Sequence, residues 1–98
     1  MKLRQPIQDF AEDMDRKMEE NDWKGGWDNC DLEHLLIRLS EEKRELTRAV
    51  RKHENNHYSD QPTDSVLIQR VIDEAADVAN FAMMIADNAR TRGMYVHP

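Results

Sequence analysis

Residues 31–53 read DLEHLLIRLSEEKRELTRAVRKH. Leu32, Leu35, Leu36, Leu39, Leu46, Ala49 and Val50 recur at intervals of three and four, the spacing of one helix face. No glycine or proline interrupts the run, and Asp31 stands where an N-cap belongs. The stretch is predicted as a helix ending near His53. Its stripe 35–39–42–46–49 passes through Glu42, and Glu45 borders it. Glu41, Lys43 and Arg44 divide between the edge of the stripe and the solvated face. A carboxylate inside an apolar stripe costs desolvation energy unless something offsets it.

The same anomaly recurs at Glu74-Ala75-Ala76-Asp77. Thr63 or Asp64 suits the N-cap of another long helix, which runs to about Arg92 with Gly93 as its C-terminal cap. Its middle is rich in alanine at 75, 76, 79, 82 and 86, so another helix can approach closely, while Phe81, Met83 and Met84 fill the remaining volume. Upstream, residues 5–20 read as a first helix. Ile7, Phe10, Ala11, Met14 and Met18 share its apolar face, and Pro6 sits in the first turn, where its missing N–H costs nothing. The opposite face is charged and read as solvated.

Two loops join the helices. Residues 21–30 carry Gly25, Gly26 and both tryptophans, Trp23 and Trp27, which are placed to plug the end of a bundle. Residues 53–62 are polar, and their histidines, His53 and His57, are read as solvated. The tail after Gly93 is too short for an element of its own. The expected fold is all-α: one domain spanning 1–98, an antiparallel helical bundle of two long helices plus an N-terminal helix. With 98 residues and 6 % aromatics the core is thin, so completion by oligomerisation, as a homodimer or a dimer-based tetramer, is expected.

Composition excludes several functions. A net charge of -6 argues against nonspecific nucleic-acid binding, which needs a basic surface. No apolar run approaches the roughly 20 residues that cross a bilayer, and the first nine residues lack a signal-peptide apolar region. The single cysteine, Cys30, allows no internal disulfide. A cytoplasmic protein without a membrane partner is the expectation.

The two acidic doublets belong together in such a hairpin. Residues i and i+3 project from nearly the same helix face. Glu45 lies about eight residues before the connecting loop and Glu74 about ten after it, so both stand on the order of 12–15 Å from the turn. Four carboxylates at one level beside an apolar seam repel one another and resist desolvation. A divalent cation is the simplest remedy, and an all-oxygen donor set selects a hard ion, Mg²⁺ or Mn²⁺.

Glu41-Glu42-Lys43-Arg44-Glu45, 28 intervening residues and Glu74-Ala75-Ala76-Asp77 resemble the EExxE…ExxD pattern of the MazG-like all-α nucleoside triphosphate pyrophosphohydrolases. Leu35-Leu36-Ile37-Arg38-Leu39 and Asp77-Val78-Ala79-Asn80-Phe81 extend the likeness, which covers about residues 20–90. The resemblance implies hydrolysis of a nucleoside triphosphate to the monophosphate and pyrophosphate. It implies Mg²⁺ held by Glu42, Glu45, Glu74 and Asp77, with Glu41 as a candidate catalytic group. It also implies an aromatic residue stacking on the base from the loop before the first acidic helix, where Trp27 stands. Lys24, beside two glycines, is a candidate phosphate contact, and Asn80, one turn past Asp77, a candidate contact to phosphate, sugar or base. Arg70, Arg51, Lys52, Arg90 and Arg92 are further cations among which spacing does not choose.

Two other readings compete. Phosphoribosyl-ATP pyrophosphatase shares the superfamily and suits the Glu74–Asp77 motif, though the Lys24–Trp27 loop and Asn80 suit it less. A noncatalytic helical oligomeriser or adaptor uses the same amphipathic stripes but does not explain four converging carboxylates.

Overall fold

The structure, a computed structural model, describes residues 2–21, 23, 26–57 and 64–92. Three helices make up its regular structure: α1 (Gln5–Glu20), α2 (Leu32–His57) and α3 (Asp64–Arg92). There is no strand among the described residues. The candidate caps Thr63 and Gly93, the tail and Lys24 lie outside them.

Local sequence accounts for most boundaries. The Arg4 carbonyl accepts from the N–H groups of Ile7 and Gln8 at 3.0 and 3.1 Å, and Pro6 occupies the first turn of α1. The Asp31 carbonyl accepts from Leu35 N–H at 3.1 Å, which puts Asp31 in the capping position of α2. The expected end of α2 is corrected: the helix continues one turn past His53, to His57. Asn55 and Asn56 lower helix propensity by only tenths of a kcal/mol each, and no glycine or proline precedes Pro62 to stop the chain.

Helices α2 and α3 run antiparallel. Arg92 Nη2 donates to the Cys30 carbonyl at 3.0 Å and Asn88 Nδ2 to the Trp27 carbonyl at 3.3 Å, so the end of α3 lies at the start of α2. Leu35, Phe81 and Met84 form the core, with Met18, Trp23, Trp27 and Leu39 packed around them. Ala49 on α2 and Ala76 on α3 are both buried, consistent with a close helix approach through small side chains. The α2 stripe behaves as its spacing predicts at Leu35, Leu39, Leu46 and Ala49. Leu32 and Leu36 of that stripe instead face outward, beside Ile37, which is 56 % exposed.

Helix α1 departs from its expectation. It packs on α3 and not on α2, and none of its residues is buried. Ile7 and Ala11 are exposed, while Phe10, Met14 and Met18 are partly covered. Its charged face, expected to be solvated, instead supplies the docking contacts. Arg16 Nη2 pairs with Asp73 Oδ1 at 2.6 Å, and Lys17 Nζ lies 3.8 Å from Asp77 Oδ2. A helix with only two turns of useful apolar face takes its orientation from such pairs.

Candidate metal centre

The α2–α3 pairing brings Glu42, Glu74 and Asp77 together. Each offers one carboxylate oxygen, and the three oxygens lie within 4.8 Å of one another. All three residues are half-buried. Burial raises the pKa of Glu42, and the charges of Asp77, Glu45 and Glu41 add to it, while Arg38 opposes. Burial likewise raises Glu74, reinforced by Asp77 and Glu42 and opposed by Arg70. Burial raises Asp77 too, and outweighs the attraction of Lys17 and a long hydrogen bond from Asn21 Nδ2 at 3.5 Å. Three carboxylates that all resist ionisation, converging on one point from two helices, are a donor set short of positive charge. They fit a hard divalent cation in number, chemistry and spacing.

Glu45 stands outside the converged triplet. Its Oε1 accepts from Arg48 Nη1 at 2.7 Å, one turn along α2, although its charge is felt at both Glu42 and Glu74. Glu41 is exposed and pairs with Arg38, whose other nitrogen donates to Glu42 Oε1 at 3.1 Å. The Arg38 guanidinium also lies over the Phe81 ring, 5.2 Å from its centroid. Arg38 thus links the acidic cluster to the core. Its position four residues before Glu42 made that contact readable from sequence. Lys17 and Asn21 were not readable in that way, because they reach Asp77 only through the docking of α1.

Trp27 and Asn80 are both committed to protein contacts. Trp27 Nε1 donates to Asp87 Oδ2 at 3.1 Å, and its ring packs on the core. Gly26, at φ 73°, makes the left-handed turn that aims it there. Trp23 meets Phe81 edge-on, with centroids 5.8 Å apart. Asn80 is 3 % exposed and donates from Nδ2 to the Met14 carbonyl at 3.0 Å, fastening α1 beside the site.

No family model, curated protein or solved structure matches this chain. The chemistry of the site therefore rests on its own geometry. No helix among the described residues is long and apolar enough to cross a membrane.

The raised carboxylates set a pH dependence. A group whose folded pKa lies above its unfolded value binds protons more tightly when folded, so its cost to stability is full at high pH and relieved as pH falls. Glu42, Glu74 and Asp77 act in this sense as pH falls toward their ordinary values of 4.5, 4.5 and 3.8. Asp73 acts oppositely. Burial opposes its ionisation, but hydrogen bonds from Arg16 and Gln69 prevail and hold its pKa below 3.8, so its contribution is lost in stronger acid. In a chelator the melting temperature should rise as pH drops from neutral, pass a maximum near the ordinary carboxylate range, then fall. Added Mg²⁺ should raise it most at neutral pH. A melting temperature that climbs steadily from acid to neutral pH in chelator would contradict the strained cluster.

Proposed function

We propose that the protein is a Mg²⁺-dependent nucleoside triphosphate pyrophosphohydrolase of the MazG-like type. The observation that carries this reading is the convergence of Glu42, Glu74 and Asp77, three charge-poor carboxylates at the motif positions of two antiparallel helices. Mn²⁺ suits the same oxygens.

Glu42, Glu74 and Asp77 would hold the ion, and Glu45 would join them by leaving Arg48. That exchange is inexpensive, because an exposed pair one turn apart on a helix contributes well under about 1 kcal/mol. When bound, a divalent ion supplies electrostatic stabilisation of charge developing at the α-phosphorus. Water attacks the α-phosphorus and gives up a proton to solvent, the bond to the bridging α–β oxygen breaks with its electron pair going to pyrophosphate, and monophosphate and pyrophosphate leave. Glu41 stands at the solvent edge, where a carboxylate can orient that water. Arg38 holds Glu42 in place and ties it to Phe81. Asn80 fastens α1 beside the site through the Met14 carbonyl, and Trp27 braces the end of the bundle through Asp87. The exposed Leu36, Ile37 and Ile68 support the oligomeric part of the reading, since a thin core leaves them for a second subunit.

The test is a pyrophosphate-release screen over canonical and modified triphosphates, with phosphoribosyl-ATP included, run with Mg²⁺ and with chelator. Release from at least one triphosphate that stops in chelator is the expected result. A folded protein that hydrolyses nothing in the panel would favour the noncatalytic oligomeriser.

A further inference from the structure

A groove of about 470 Å³ runs between α1 and the first turns of α3, within the size range of small-ligand sites. Lys17 of α1 lines one wall; Ser65, Val66, Gln69, Arg70, Asp73 and Glu74 of α3 line the other. Glu74 belongs both to this groove and to the acidic cluster, so the groove opens directly off the candidate metal centre.

We propose that this groove binds the diphosphate end of the substrate, and the pyrophosphate product, through Lys17 and Arg70. The proposal rests on the pyrophosphohydrolase reading and adds the direction in which the triphosphate lies.

Charge matching is the first argument. Asp73 is already matched by Arg16 at 2.6 Å and by Gln69 Nε2 at 2.9 Å. Glu74 and Asp77 are the carboxylates that a divalent ion would take. What remains in the groove is cationic. Lys17 is held there with only 16 % of its side chain exposed. Its Nζ bonds Glu20 Oε2 at 3.1 Å and lies farther, at 3.8 Å, from Asp77. An ammonium has three donors, so engaging Glu20 leaves donors for a phosphate oxygen. Arg70 is exposed, enters no salt bridge among the described residues, and presents a planar fork of N–H donors suited to phosphate oxygens.

Polarity along α3 is the second argument. Arg70 stands one turn before Glu74, and Phe81 one turn after Asp77. Trp23 and Phe81 gather at the far end, where they close the core, so the open groove at the near end is the place for phosphates. Arg38 does not compete as the diphosphate ligand. It stands at the aromatic end and is engaged by Glu41, Glu42 and the Phe81 face.

The experiment compares the parent protein with Arg70→Met, Lys17→Met and Lys17→Arg in Mg²⁺. For the triphosphate that the parent hydrolyses, KM and inhibition by added pyrophosphate are measured beside inhibition by the matching monophosphate. Arg70→Met and Lys17→Met should each weaken the triphosphate and pyrophosphate constants about tenfold, the effect of one charge-assisted contact. Monophosphate inhibition should stay within about twofold of the parent, and Lys17→Arg should recover most of the loss. Unchanged pyrophosphate inhibition in both methionine variants, or equal weakening of the monophosphate, would overturn the assignment. Failure of the functional reading is distinguishable, because the parent would then release no pyrophosphate from any triphosphate. In that case calorimetric binding of pyrophosphate with Mg²⁺ decides the groove alone. Binding lost in Arg70→Met upholds it, and no binding by the parent removes it.

Discussion

Asp77→Asn should lower Mg²⁺-dependent pyrophosphate release by on the order of 100-fold or more, since several kcal/mol of transition-state stabilisation go with the ion. Glu42→Gln and Glu74→Gln should do the same. The metal-free variants should nonetheless fold, and melt no lower than the parent at neutral pH. Each of these carboxyls has a raised pKa, which means that its charge opposes the folded state, so a neutral isostere relieves strain instead of creating it. The parent should gain melting temperature on adding Mg²⁺, and the variants should gain little, because a ligand stabilises only the state that binds it. Opposite effects on activity and on metal-free stability distinguish a ligand set from an ordinary surface cluster. Glu45→Gln should also lose activity if Glu45 joins the ion on leaving Arg48, whereas Arg48→Ala should leave turnover near that of the parent. Asp77→Asn and Glu42→Gln proteins that hydrolyse the substrate as the parent does would remove the metal assignment.

The acidic cluster was legible because its two halves are local patterns. A carboxylate pair three residues apart on an apolar stripe is visible in one helix, and a hairpin of nearly matched arm lengths brings three of the four carboxylates together. The helix ends at Gln5, Glu20, Asp64 and Arg92 were legible for similar reasons, since Pro6, the Gly25–Gly26 break and the polar linker are local punctuation. The end of α2 was not, because weak helix formers without a glycine or proline can follow a helix already propagating. What stayed hidden was everything decided by how α1 docks. A charged helix face reads as solvated until a partner face is known, so the links from Arg16 to Asp73 and from Lys17 to Asp77 had no signature in their own segment. The same holds for Asn80. Its place one turn past Asp77 marked it as facing the site, but only the packed structure gives its amide to the Met14 carbonyl. Glu45 shows the converse limit. The motif groups it with Glu42, yet its side chain pairs with Arg48, the cation one turn along its own helix.

Phe81→Ala should cost about 3–5 kcal/mol of stability, a large share of the roughly 5–15 kcal/mol that holds a domain together. Phe81 is buried against Leu35 and Met84, with which it forms the central cluster of a small core. Its ring also receives Trp23 edge-on and carries the Arg38 guanidinium on its face. Truncation therefore opens a cavity at the end of the bundle and frees the residue that steadies Glu42. Phe81→Leu keeps most of the volume while removing the aromatic face, and separates the two effects. It should cost about 1–2 kcal/mol, smaller than the alanine truncation because the cavity is largely filled. Mg²⁺ should restore part of the loss in both variants at neutral pH, since Glu42, Glu74 and Asp77 are untouched and binding shifts the equilibrium toward the folded state. Denaturant titrations with and without Mg²⁺ measure this directly through the midpoint at constant slope. If Phe81→Ala unfolds at the parent's midpoint, Phe81 is not the link between the core and the acidic cluster. If Mg²⁺ leaves the midpoint of every variant and of the parent unmoved, the carboxylates do not hold the ion.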